Sequence, residues 1–423
     1  MKRFCSTSLD AVPYGPEETL ASVAVSKISN VDHGTREDGD DPFVVFDLGE
    51  VIFKYRQWIK MLPRVHPYYA VKCNPNEVLL RLLSGLGANF DCASKGEIQK
   101  ILSLGVSSDR IIYAHPVKQM SHIQFASEHG VKLMTFDNPE ELRKVKKNCP
   151  DARLVIRFRY DEKTSELKLG GKFGCHEDDG SHLLQLAKDL GLSVVGTCFN
   201  LGSSPEDPVG FYNAIRHVHF AYELGRSLGH PMTLLDLGGG IEGRLEPHQF
   251  QKFADAINSA LDEFFPVGCG IDVIAEPGQY LVASSAVLLA SVVGKSKVTK
   301  DERKLIEHTD NPDHRIQGGA TINQLYLNVG LYNAYDPVHH RYQLIDGPPV
   351  PVKGYQERQL IPTRLFGPTL AVLDCIFEEC LMPDLNICEW VLFKNFGAYR
   401  CSSAGLSFNG FRRPDIFFYI PGN

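Results

Sequence analysis

Between Tyr68 and Glu276, short β-branched or aromatic runs alternate with amphipathic stretches, and this alternation restricts the fold more than any other feature. The strand candidates are Tyr68–Lys72, Ala88–Cys92, Arg110–Ala114, Lys132–Phe136, Arg153–Phe158, Val194–Phe199, Leu234–Leu237 and Asp272–Ala275. Helix candidates lie between them at Glu77–Ser84, Lys95–Leu104, Pro139–Lys147, Ser181–Leu190, Gly210–Leu228 and Pro247–Phe264. Several carry apolar residues at i, i+3, i+4 and i+7, the spacing of one buried helix face. Repeated strand–helix units over this length predict an α/β fold, a closed (β/α)8 barrel.

After Glu276 the helical period fades. Apolar or alternating runs at Leu281–Val293, Leu325–Val329, Glu389–Phe393 and Asp415–Ile420 are separated by Gly- and Pro-rich turns. They predict a mainly β C-terminal domain, joined by Pro42–Leu48 from the N-terminus. The expected organisation is an N-terminal segment over 1–45, a barrel over 46–281 and a β domain over 282–423, which suits a chain of 423 residues. The charged stretch Lys300–Ala320 is expected to be an exposed loop.

A net charge of −7 and the lack of a long Lys/Arg run argue against nucleic acid as a partner. The N-terminus has two basic residues but no apolar run behind them, so no secretory signal is expected. Leu281–Val293 is too short and interrupted to span a bilayer, so no membrane partner is expected. Eleven scattered cysteines without a C-x-x-C pair read as free thiols in the cytoplasm, neither a disulfide framework nor a metal site.

Barrel enzymes do their chemistry at the C-terminal ends of the strands. The residues there are Lys72, Asp91, Arg157, Asn200, the Gly238-Gly239-Gly240 turn and Glu276. A lysine at the end of Tyr-Tyr-Ala-Val faces a partly desolvated mouth, where an amine becomes nucleophilic. By itself such a lysine more often just reaches for water. The glycine triplet and Asn200-Leu201-Gly202-Ser203-Ser204 are two turns whose N–H groups can meet a phosphate, though Gly-rich turns are common. Glu276 is placed to pair with a protonated ring nitrogen, or simply to cap its turn. Together on one rim, an amine, two phosphate nests and a carboxylate point to pyridoxal 5'-phosphate.

The chain resembles the eukaryotic ornithine decarboxylase family, a fold-type III pyridoxal-phosphate group, over nearly its whole length. The resemblance rests on Tyr69-Ala70-Val71-Lys72-Cys73-Asn74, Asn89-Phe90-Asp91-Cys92-Ala93-Ser94 and Leu235-Asp236-Leu237-Gly238-Gly239-Gly240. It continues through Ala275-Glu276-Pro277-Gly278, Phe366-Gly367-Pro368-Thr369 and Phe408-Asn409-Gly410-Phe411. It implies that Lys72 carries the cofactor as a Schiff base and that Glu276 faces the pyridine nitrogen. Asp91, Glu97 and Arg157 would support the lysine and the ring. Ser203, the Gly238–Gly240 backbone and Tyr399 would hold the phosphate. It further implies a homodimer acting on a small amino acid.

Departures from the family pattern matter as much as the matches. The family's phosphate-side arginine is Gln279 here, and its ring-stacking histidine is Asn200. A Cys-Asp pair after Phe-Gly-Pro-Thr, which guides protonation and binds the substrate's distal ammonium, is Leu370-Ala371. An ammonium left unpaired in such a half-buried site costs on the order of 3–5 kcal/mol. The family's second acid falls at Arg341 in an ungapped alignment and at Asp336 in a gapped one; the ungapped reading removes both acids. Cys375 lies too far along the chain to be assumed a replacement.

Three readings follow. The first is a decarboxylase with a rewritten pocket, acting on an apolar amino acid such as leucine, as one paralogue type of the family does. The second is a regulator of polyamine metabolism resembling the antizyme inhibitors. Its Lys118–Lys147 segment resembles the antizyme-binding region, but with Gln124 where lysine is usual and His129 where asparagine is usual. The third is a decayed paralogue. The first is preferred, because antizyme inhibitors tend to lose cofactor contacts that this chain keeps. The chain stops at Asn423, where vertebrate ornithine decarboxylases continue into a degradation tail, so no C-terminal degron is expected.

Overall fold

In the computed structural model, residues 10–15, 17–29, 39–160, 171–299, 321–335, 347–354, 356–400 and 408–422 are described. The chain divides into two units, Glu50–Ala283 and a second made from the described residues up to Gly49 and from Ser284 onward. Expectations for Lys300–Ala320, Asp336 and Arg341 fall outside the described residues.

Strands Val65–Ala70, Asn89–Cys92, Ile111–Tyr113, Leu133–Phe136, Arg153–Arg157, Ser193–Cys198, Leu234–Asp236 and Asp272–Ala275 make a closed parallel barrel in chain order. The last pairs with the first, Val273 beside Val65 and Ala275 beside Pro67. Tyr68, Ile112, Leu133, Val155, Val195, Cys198, Leu234 and Ile274 form its buried core, drawn from every strand except Asn89–Cys92. The predicted barrel followed by a mainly β domain is therefore the observed architecture.

Local chemistry sets the helix ends. Asn76, Ser94 and Asn138 cap helices Glu77–Leu86, Lys95–Ser103 and Pro139–Asn148, their side chains accepting the N–H of Val78, Glu97 and Glu141. Glu246 and Gln249 form a reciprocal capping box on Pro247–Phe264. Gly87 ends its helix in the left-handed region, with φ of 103°.

Four boundaries differ from the sequence expectation. The first barrel strand runs through Pro67 and stops at Ala70, where Val71–Cys73 turn into 3-10 helix. The expected strand begins at Tyr68; proline lacks an N–H and is unusual inside a strand, yet Pro67 pairs beside Ala275 here. The apolar run from Leu281 is not one strand. Gln279–Val282 is a buried helical turn, Ala283–Ser285 a 3-10 turn, and strand begins at Ala286. Apolar runs do not distinguish buried strand from buried helix. Leu48 opens the helix Leu48–Met61 rather than closing the strand Phe43–Asp47. Strands Leu360–Phe366 and Cys375–Pro383, with polar residues and an internal Pro362, were not foreseen; they lie at one end of the sheet order.

The second unit is built on the fourteen-residue strand Ala286–Thr299. Its first part pairs with Phe43–Asp47 on one side and Trp390–Phe393 on the other. Beyond a bulge at Val292–Gly294 it pairs with Thr321–Leu327. Val45, Val287, Leu289 and Trp390 pack in the core under helix Leu20–Ser29.

In the barrel unit, Lys118–Lys147 folds as helix Met120–Glu128, strand Leu133–Phe136 and helix Pro139–Asn148. Lys118 and Glu141 form a fully buried pair at 2.8 Å, and Lys118 Nζ also donates to the Thr135 carbonyl at 2.6 Å. Desolvation lowers the Lys118 pKa, and the Glu141 carboxylate opposes that shift. Gln124 donates to Glu128 at 2.9 Å, and His129 stacks on Phe125. Lys118→Met should leave a buried carboxylate with only Lys144 as cation and lower barrel stability by about 3 kcal/mol, read by urea denaturation. A loss below about 1 kcal/mol would show that this pair does not anchor the segment.

Candidate active site at the barrel rim

Barrel closure gathers residues far apart in sequence. Lys72 stands in the 3-10 turn after the first strand, and its ammonium meets Asp91 Oδ2, from the end of the second strand, at 2.5 Å. The lysine side chain is 46% exposed; the aspartate is fully buried. Glu97 lies one turn beyond and accepts the Ala93 N–H at 2.6 Å, fixing the turn that follows Asp91. Burial raises the Glu97 carboxyl pKa, and that backbone N–H opposes the rise.

Across the mouth, Glu276 follows the eighth strand and its N–H donates to the Gly238 carbonyl at 2.7 Å. Burial pushes its carboxyl well above the usual range, with Asp236 and Asp91 adding to the effect and Lys72 and Arg157 opposing it. Asp236, wholly buried, is pushed up to about 7 by desolvation, while the Gly238 N–H works the other way. The sequence reading quoted Asp236 but gave it no role; the signal available was an acid inside an otherwise apolar strand. Arg157 ends its strand with its guanidinium 5.4 Å from the Phe173 ring, and it lowers the neighbouring acids electrostatically.

Two loops form a cup beside these acids. A Cβ on Gly238 would sit 2.2 Å from the Phe199 carbonyl oxygen, and one on Gly240 would sit 2.2 Å from that of Gly202. Both glycines have positive φ, 63° and 104°, so no other residue fits this approach. Among the described residues, the Gly239 and Gly240 N–H groups have no internal acceptor. Asn200 uses its side-chain oxygen to accept the Gly202 N–H at 2.9 Å, which shapes the loop. Ser203 is half-buried next to Ser204, a buried residue with φ of 51°. Gln279 donates to the Gly240 carbonyl at 2.9 Å and to Ser204 Oγ at 3.3 Å. Ser204 Oγ donates to Glu242 Oε2 at 2.7 Å. The sequence places Ser204 in a phosphate-nest turn but gives no sign of its bond to Glu242, because nothing local says that residues 38 positions apart meet.

Tyr399, Leu370 and Ala371 belong to the second unit. Tyr399 occupies a left-handed turn, with φ of 51°. Leu370 is 88% exposed, and its N–H donates to Asn409 Oδ1 at 3.0 Å. The carboxylate just beyond, Asp374, is buried and accepts from Leu331 N at 2.7 Å, Thr369 N at 3.0 Å and Thr369 Oγ1 at 2.6 Å. Cys375 opens a strand, and burial pushes its thiol up to about 12.

The rim fits a ring-and-phosphate cofactor on its own geometry. Asp91 Oδ1 is buried without a partner, as expected of a group built to face a polar ligand. The cup presents backbone N–H groups at glycines that alone permit the approach. An amine with a buried carboxylate, facing a second acid cluster, defines the class: a pyridoxal-phosphate barrel enzyme fold.

Comparison with known proteins agrees. Residues 48–283 match the family of the pyridoxal-dependent decarboxylase, pyridoxal binding domain. Ornithine decarboxylase of Rattus norvegicus is 38% identical over 95% of this chain and 85% of its own length. Antizyme inhibitor 2 of Xenopus laevis is 38% identical over 90% of this chain and 81% of its own. The Paramecium bursaria Chlorella virus arginine decarboxylase superimposes with a TM-score of 0.82 at 32% identity, covering 94% of this chain and all of that one. The chain belongs to the ornithine decarboxylase family of fold-type III pyridoxal-dependent decarboxylases, whose cofactor is pyridoxal 5'-phosphate. Among the described residues, no helix is long and apolar enough to cross a membrane, no cluster could hold a metal, and the cysteines are free.

An acid whose pKa is raised on folding binds its proton more tightly folded than unfolded, so it favours the folded state at low pH and loses that contribution as pH rises to the folded value. For Asp236 the window runs from its ordinary 3.8 to about 7. Asp236→Asn, which keeps an acceptor for Gly238, should therefore stabilise the cofactor-free protein more at pH 8 than at pH 5. Urea denaturation at the two pH values checks this; an equal effect at both would show that the acid is not held neutral by burial.

Proposed function

We propose that the protein is a pyridoxal-phosphate-dependent carboxy-lyase that decarboxylates an apolar amino acid such as leucine, working as a cytoplasmic homodimer. One observation carries the choice of substrate. The turn where the family has Cys-Asp presents Leu370 and Ala371, and its remaining carboxylate, Asp374, is tied to three donors, two on Thr369 of the same turn and one the Leu331 N–H. Among the described residues of that turn an arriving ammonium finds no available anion, whereas an alkyl group loses nothing. The Lys72–Asp91 pair supports an enzyme rather than a relic, since a buried acid beside an amine is costly to keep without use.

Lys72 would hold the cofactor and Glu276 its ring nitrogen. The Gly238–Gly240 backbone, with Ser203 and Tyr399, would hold the phosphate. Bound there, the cofactor supplies the electron sink for the pair left when carbon dioxide departs. Asp91 orients and neutralises the Lys72 ammonium. Arg157 offsets the surrounding negative charge. With Leu370 in place of cysteine and Cys375 held as a thiol by burial, return of the proton is poorly guided, and some turnovers should end in transamination.

A second reading, an antizyme-inhibitor-like regulator, is favoured by the phosphate cup, where Gln279 replaces a cation. Visible absorbance and carbon dioxide release separate the two. Borohydride reduction should fix the cofactor to wild-type protein and not to Lys72→Ala. Release of carbon dioxide should be faster from leucine than from ornithine or lysine, and Ala371→Asp should shift the preference toward ornithine by on the order of tenfold. Ornithine turnover exceeding that of leucine would refute the pocket argument. A colourless protein that binds purified antizyme would favour the regulator.

A further inference from the structure

A carboxylate paired with one arginine stands beside the phosphate cup. Glu242 follows the glycine triplet with its side chain only 16% exposed. It accepts the Ser204 hydroxyl at 2.7 Å, the Arg244 guanidinium at 2.8 Å and the Arg244 main-chain N–H at 3.1 Å. Burial works against ionisation, yet Arg244 and Ser204 hold the Glu242 carboxyl below its ordinary range. The opposite wall is Gln279, an uncharged donor whose amide is already bonded to Gly240 and Ser204. Lys54 from helix Leu48–Met61 donates to the Leu245 carbonyl at 2.9 Å and feels Glu50, Glu246 and Glu242.

The consequence is local and electrostatic. An anion seated on the Gly239 and Gly240 N–H groups meets a serine whose proton is already given to a carboxylate. That carboxylate lies one hydroxyl away. Backbone N–H groups remain the favourable part of the site.

We propose that Glu242, acting through Ser204 and Gln279, is the specificity-determining residue of the cup, lowering affinity for the cofactor's phosphate relative to the same ring without one. This rests on the reading that the rim binds pyridoxal 5'-phosphate. Glu242 is a positioning residue here, since it works on the ligand through Ser204.

The test is a titration of the cofactor-free full-length protein with pyridoxal 5'-phosphate and separately with pyridoxal, followed by absorbance and protein fluorescence. Glu242→Gln and Gln279→Arg should each tighten binding of the phosphorylated compound by on the order of tenfold, with pyridoxal affinity unchanged. Added salt should shrink the Gln279→Arg gain. A structural effect would move both ligands together. An unchanged ratio of the two affinities in both variants would overturn the proposal while leaving the cofactor reading intact. Failure of wild type and variants alike to bind either compound would overturn both. Should Glu242→Gln unfold, judged by circular dichroism, Ser204→Ala, which cuts the link from Glu242 to the cup, decides by the same ratio of affinities.

Discussion

Barrel closure, the pairing of Asp272–Ala275 with Val65–Ala70, is the constraint on which the rest depends. It sets Pro277 against Ala70, whose N–H donates to the Pro277 carbonyl at 3.3 Å. It also explains Gly278, where a Cβ would lie 2.9 Å from Cys73 Cβ. Through that seam Lys72 and Glu276, from opposite ends of the barrel unit, come to share one electrostatic field. Parallel strands direct their C-termini to the same rim, so every chemical group on a strand end is delivered to one mouth.

That mouth is expensive in the absence of a ligand. Asp91, Asp236 and Glu276 are buried acids, with Lys72 and Arg157 as the cations acting on them. Desolvation dominates, which is why Asp236 and Glu276 hold protons well above the usual carboxylate range. Such clusters are typical of functional sites, because a fold selected for stability alone would replace them with apolar residues. The unpartnered oxygen of Asp91 fits the same account.

The family relation and the departures from it separate cleanly in space. What is shared with decarboxylases of ornithine and arginine is the scaffold. In the cup, Gln279 and Glu242 stand beside the glycine triplet. In the second unit, the Leu370-Ala371 turn is held by an Asp374 that accepts the Leu331 and Thr369 N–H groups. Each departure alters a Coulombic term while leaving the fold's apolar core untouched.

The sequence alone determined a great deal. The eight strands and the barrel were legible because hydrophobic period and strand–helix alternation are local properties. Lys72, Asp91, Glu276 and the glycine triplet were legible because strand ends in a barrel converge by necessity. The helical turn at Gln279–Val282 and the edge strands beyond Leu360 were not, since an apolar run or a proline has several outcomes until neighbours select one. Asp236's raised pKa, the Ser204–Glu242 bond and the locked Asp374 belong to the tertiary structure alone. Burial and the meeting of distant side chains are set by packing, and no local pattern in the chain encodes them.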